Sequence, residues 1–143
     1  MNWSFDRAGL QEFIRITASG DFCSTQYGAM LDELVSLPYW RAGTPLLFDF
    51  CGLGYSQIDA MELLAASDEV VSRSLYFAFT PVAMVMGTPE DMEMGRRFGE
   101  ITDDRVLADP RRFLKEADAI SWLKTYFLTV ICVFEFLLPT ISA

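Results

Sequence analysis

An aspartate inside an apolar run is the first residue of this sequence that could do chemistry. Leu46 to Cys51 reads LLFDFC, and Asp49 alone interrupts it. A carboxylate in such a run needs hydrogen-bond or charge partners, and burial that raised its pKa would make it a general base. Two glycines follow, Gly52 and Gly54, and then Ser56 and Asp59. Gly52-Leu53-Gly54 ahead of a helix start would offer backbone N–H groups to an anion, aided by the helix dipole. The third glycine of a dinucleotide fingerprint and the lysine of a P-loop are missing, so the same triplet also reads as a plain tight turn. Ser56 as cap with Asp59 three residues on reads as a capping box. Farther along, Arg96 and Arg97 are adjacent bases on a helical stretch. They would neutralise an acidic ligand, or sit in solvent paired with Glu93 or Glu100. Asp49, Gly52, Gly54, Ser56, Asp59, Arg96 and Arg97 are therefore the candidate ligand- or partner-binding residues.

Composition removes whole classes of chemistry. There is no histidine among the 143 residues. That excludes Ser-His-Asp and Cys-His catalysis and every His-ligated metal site. Cys23, Cys51 and Cys132 are odd in number and far apart. They match no zinc knuckle, CxxC pair or disulfide framework, so a reduced, cytoplasmic setting is expected. With 11 Lys and Arg against 20 acids, the net charge of −9 argues against nucleic acid and against docking on anionic membrane. The N-terminus MNWSFDRAG has no signal-peptide pattern. No catalytic residue, metal site or cofactor is assigned.

The elements that must position these residues follow from periodicity. Trp3–Asp6 and Gln11–Thr17 flank Ala8-Gly9 as a strand pair with a tight turn, ended by Gly20-Asp21. Ser24 or Thr25 caps a helix running to about Ser36, with Met30, Leu31, Leu34 and Val35 at helical spacing. Leu46–Cys51 is a strand covered on both faces, Gly52 and Gly54 turn the chain, and a helix runs from Ser56 to about Arg73 with Glu69 and Arg73 as an i,i+4 pair. Leu75–Thr80 reads either as a helix end and connector or as part of a strand. Pro81–Met86 is a second buried strand. Thr88 caps the next helix, with Pro89 at its first position and two acids behind it. Asp109-Pro110 breaks the chain before a short strand at Arg111–Leu114, and Glu116 onward is helical. Strands alternating with helices give an α/β domain with a mainly parallel sheet.

Several of these segments together resemble the STAS domains, and more closely the SpoIIAA-like branch of small bacterial proteins. The residues that carry the resemblance are Gly20-Asp21-Phe22, Trp40 through Asp49, Pro81 through Val85, and Phe113 through Ala119 to Trp122-Leu123. It covers roughly residues 3–124. The resemblance implies a central sheet of about five strands with an N-terminal hairpin and about four helices. It implies a regulatory or binding role, since the branch is mostly of unassigned function and is compared in shape with the CRAL-TRIO lipid carriers. True antagonists carry a phosphorylatable serine at the start of the helix after the central strand. Here that place reads Gln57-Ile58-Asp59-Ala60 with Ser56 the nearest hydroxyl, so Asp59 would stand as a fixed charge or an ordinary capping acid.

The expected function is a non-enzymatic binding or regulatory module. Its ligand is a protein partner or a lipid-like small molecule at the loop after the central strand, with Met84, Met86, Met92, Met94, Phe77 and Phe79 holding an apolar tail. An enzyme using Asp49 or Asp59 as base is the alternative. The stretch Thr125 to Ala143 is an apolar helical extension to a domain of residues 1–124. It falls short of the ~20 residues needed to span a bilayer. It reads as packed on its own domain or on a second copy of the chain, which makes a structural homodimer a further alternative.

Overall fold

A computed structural model describes residues 1–8, 13–56 and 58–126. Five strands form one sheet in the order β1-β2-β3-β4-β5: Asn2–Ala8, Phe13–Asp21, Leu46–Gly54, Pro81–Val85 and Asp109–Phe113. β1 and β2 are an antiparallel pair, and every later neighbour is parallel. Three helices occupy the crossovers: α1 at Ser24–Val35, α2 at Ala60–Val71 and α3 at Pro89–Thr102. A fourth, α4, occupies 116–126. Of the expected Ala8-Gly9 turn, Ala8 belongs to β1 and pairs with Phe13; residues 9–12 and most of the apolar extension, 127–143, lie outside the described residues.

The strands are added in one direction, from β2 to β5. Right-handed crossovers that all step the same way put their helices on one face of the sheet. Accordingly α1, α2 and α3 share a face and α4 takes the other. Side chains divide by the period-two rule. Ile14, Ile16, Leu46, Phe48, Val82 and Met84 belong to the large core under α1–α3. Phe13, Leu47, Ala83 and Val85 pack with Ala119 and Leu123 of α4 in a smaller one.

The alternation in β3 is interrupted once. Thr17 pairs with Asp49 but Ser19 pairs with Gly52, so β3 carries one extra residue at this point. Such a bulge re-aims the side chains beyond it. It is why Phe50 and Leu53, three apart, both face the large core. It also corrects the expected turn at Gly52 and Gly54: both remain in the strand, and β3 ends at Gly54.

The start of α2 differs correspondingly. The turn is made at Tyr55–Ile58, where the Ile58 N–H donates to the Tyr55 carbonyl at 3.1 Å. Asp59, not Ser56, is the N-cap, and its Oδ1 accepts from the Glu62 N–H at 2.8 Å. Ser56 stands exposed in the turn. Glu62 completes the usual acid spacing, but its carboxylate accepts instead from the Ser24 N–H at 2.7 Å. Thus α2 caps the first turn of α1. The expected Ser24 or Thr25 cap is replaced by Cys23 at the N-cap position, with no side-chain bond of its own. The Thr88 cap of α3 forms as expected, accepting from Asp91 N–H at 3.1 Å behind Pro89. The ambiguous stretch before β4 is a short 3-10 helix, Ser74–Phe77, and a connector. Pro110 does not stop β5, because β5 pairs on one side only and an edge strand tolerates proline.

The expected Glu69–Arg73 pair is present at 2.6 Å, and Arg73 also holds Asp32 of α1 through two bonds of 2.7 and 2.9 Å. The carboxylate of Glu69 lies where a side chain on Gly28 would project, so a larger residue there would displace the Glu69 side chain.

Candidate functional site

Under α1–α3 the core is not filled. Two apolar cavities lie along it, of about 60 Å³ and about 50 Å³. The first touches the beginnings of the parallel strands at Leu46, Val82 and Pro110, with Phe77 and Val106 around it. The second lies at their carboxyl ends, against Phe50, Leu53 and Met86, beneath Met94 and Gly95 of α3 and Leu63 and Ala66 of α2. Tyr55 and Ile58 bring the loop after β3 to this upper cavity. Four side chains are common to both walls and form a waist between them: Tyr27, Met84, Phe98 and Arg112.

The waist is where the polar groups are. Arg112 points toward the helices, in the same phase as Pro110, and its side chain is 12% exposed. Both terminal nitrogens donate to Asp103, at 2.8 and 2.9 Å. Its Nε is buried and has no hydrogen-bond partner among the described residues. Gly95 and Gly99, four apart on α3, make its bed: a Cβ on Gly95 would stand 3.1 Å from Arg112 Cδ, and one on Gly99 2.7 Å from Nη1. Tyr27 is buried beside it, and burial pushes its hydroxyl up to about 12 against the smaller opposing pull of Arg112. Tyr27 is therefore a neutral donor at any ordinary pH.

The candidate residues read from sequence do not converge here. Asp49 lies on the opposite face of the sheet, in phase with Leu47, and its Oδ1 accepts from the Cys51 N–H at 3.0 Å. The carboxylate is thus used by the bulge that follows it. Gly52 and Gly54 pair with Ser19 and Asp21, so their backbone is not a free anion nest. The N-terminus of α2 is already occupied by the Asp59 carboxylate, which disfavours a second anion there. Asp59 and Ser56 are exposed near the upper cavity's loop without lining it. Arg96 is exposed and paired with Glu93, at 2.5 Å, and with Glu100. Arg97 is also exposed. Both lie on the outer side of α3, where Arg96 borders an open hollow reached as well by Arg112 and Asp103. Of the six apolar residues named for a tail, Met84, Met86, Met94 and Phe77 line the cavities. Met92 packs on the core without lining them, and Phe79 is 80% exposed at a φ of 60°.

Tyr27 and Arg112 escaped the reading of the sequence. Arg111-Arg112-Phe113 on an edge strand gives no sign of which base turns inward, because only the register of β5 on β4 decides it. The glycines four apart on α3 were the one available signal, since such a pair leaves a trough for a neighbour's side chain. Among the described residues no cluster of acids and cysteines could hold a metal ion, and no helix is long and apolar enough to cross a membrane.

No family model matches the chain, and no curated protein matches it. Among solved structures, the chain is similar to an uncharacterised protein of the DUF3478 family with a SpoIIAA-like fold from Shewanella loihica PV-4. The two share 14% identity over 85% of this chain and 92% of the other, with a TM-score of 0.56. With its antiparallel β1–β2 pair, three parallel crossovers and α4 on the far face, this chain is an α/β protein with a SpoIIAA-like fold.

Proposed function

We propose that the chain is a non-enzymatic binding module that takes a small apolar molecule between the sheet and α2–α3, reached beside the loop after β3. The observation that carries this reading is the pair of apolar cavities sharing one wall, lined by flexible methionines and closed at the upper end by Tyr55 and Ile58. Methionine side chains repack cheaply around guests of different shape. Size limits the guest. An apolar cavity of about 150 Å³ holds benzene, and each of these, at about 60 and about 50 Å³, is smaller. Together they still fall short of that volume, so even a benzene-sized body requires the side chains at the waist, Met84 among them, to repack. A lipid-length chain would require α2 or α3 to move.

Native mass spectrometry of protein taken from cells tests this reading. A retained small mass that dissociates on activation is expected. Ala66→Leu, which fills the upper cavity from α2, should abolish retention while keeping the fold. Bare protein mass in both, with no shift of the unfolding midpoint by benzene-class compounds, would sink the reading. A retained protein partner instead would favour the surface at the start of α2, where Met61 is 75% and Leu64 48% exposed.

A further inference from the structure

The waist between the cavities carries one buried hydrogen-bond donor, Arg112 Nε, that nothing among the described residues accepts. Arg112 Nε is buried without a partner, and it lies 3.5 Å from where a Cβ of Gly95 would stand, beside the upper cavity. Tyr27, whose hydroxyl is kept neutral by burial, borders both cavities beside it. An orphaned buried donor carries the desolvation cost of that group, so natural proteins rarely leave one. One on an apolar wall, with the Tyr27 hydroxyl on the same wall, calls for an acceptor there.

The charge of the site selects the acceptor. Asp103 already neutralises Arg112 through two bonds of 2.8 and 2.9 Å. A carboxylate entering the waist would bring a second, uncompensated negative charge into apolar surroundings, which is costly. A neutral oxygen accepts the same two bonds without that cost. A carbonyl oxygen has two lone pairs and no proton to place, so it can take the Arg112 Nε–H and the Tyr27 O–H together.

We propose that Tyr27 and Arg112 form a polar anchor that selects a neutral, mostly apolar molecule carrying one carbonyl oxygen. The body of the guest lies in the cavities on either side. This deepens the proposed function and rests on that reading.

Three benzene-class probes separate the possibilities: acetophenone, ethylbenzene of similar shape without an acceptor, and benzoate as the anion. Affinities come from calorimetry, and the Arg112 Nε–H resonance is followed by NMR. Acetophenone should bind about tenfold more tightly than ethylbenzene, the worth of one or two otherwise unmade bonds. Benzoate should bind more weakly than acetophenone. The Nε–H resonance should move with acetophenone and stay with ethylbenzene. Tyr27→Phe should narrow the ratio of ketone to ethylbenzene affinity. Arg112→Met made together with Asp103→Asn, which avoids stranding a buried carboxylate, should remove the preference. Equal binding of acetophenone and ethylbenzene, with the Nε–H resonance unmoved, would overturn the anchor. It would mean that a water alone serves these donors, while the apolar binding reading would stand. Tightest binding by benzoate would overturn the neutral acceptor. Failure of all three probes to bind would overturn both readings.

Discussion

Cys51 and Cys23 are both open to solvent in some degree, yet their thiols are driven in opposite directions. Burial of its sulfur and the neighbouring Asp49 carboxylate push Cys51 up to about 11. Cys23 is lowered from the ordinary range, chiefly by the Thr25 hydroxyl 3.3 Å away. The thiolate is the reacting species, so at pH 8 a thiol near 11 is ionised in about one molecule in a thousand. Alkylation at pH 8, followed by peptide mapping, should therefore label Cys23 at least tenfold faster than Cys51. Raising the pH toward 11 should bring Cys51 up steeply. Asp49→Asn should speed Cys51 at pH 8 without touching Cys23. Equal rates in the native protein would mean that Asp49 does not face the thiol. This also bears on the carboxylate once weighed as a general base. Asp49 is occupied by the Cys51 N–H, and the group beside it is made less reactive, not more.

At the scale of elements, the first turn of α2 fixes the lip of the upper cavity. Asp59 holds the Glu62 N–H, and Glu62 holds the start of α1. Asp59→Ala should cost about 1 kcal/mol, the usual worth of an N-cap, and Ser56→Ala should fall within about 0.5 kcal/mol of the parent. Midpoints of urea unfolding distinguish them; equal losses would return Ser56 to the cap. The sequence could not make this choice. Ser56 and Asp59 both have cap chemistry, and the decision is made by where β3 stops. That in turn depends on the bulge, a matter of pairing with β2 that no local pattern records. By contrast, the two apolar runs at Leu46 and Pro81 were legible because burial on both faces leaves Asp49 as their sole polar residue. Thr88-Pro89 was legible because a proline fits only the first helical turn. Arg112 was illegible for the opposite reason: its inward direction is set by its neighbour strand, and its partner Asp103 lies on another element.

The whole molecule is two unequal layers on one sheet, and the layers have different work. Among the described residues, three helices and a broad core cover the cavity face, whereas the other face is held by α4 through a handful of side chains. Ala119 is fully buried and Leu123 is 2% exposed, and they meet Phe13, Leu47, Ala83 and Val85. Arg15 of β2 pairs with Glu116 at the start of α4, and Arg111 lies over the Trp122 ring at 5.2 Å. A core this small loses much from one truncation. Leu123→Ala should cost roughly 2–5 kcal/mol, the range for emptying a buried leucine site. The damage should stay on its own side. Side chains under α1–α3 and those under α4 leave the strands in opposite directions, so a void beneath α4 does not open onto Tyr27 or Arg112. Hydrogen exchange of the variant should show α4 amides opening at lower free energy while those of β2, β3 and β4 follow the global value. The stabilisation of the folded state by acetophenone should be the same in variant and parent, since linkage depends only on affinity and free concentration. A variant that lost both α4 protection and ligand stabilisation together would show that the sheet transmits packing from one face to the other. The binding face could not then be treated as a unit separate from α4.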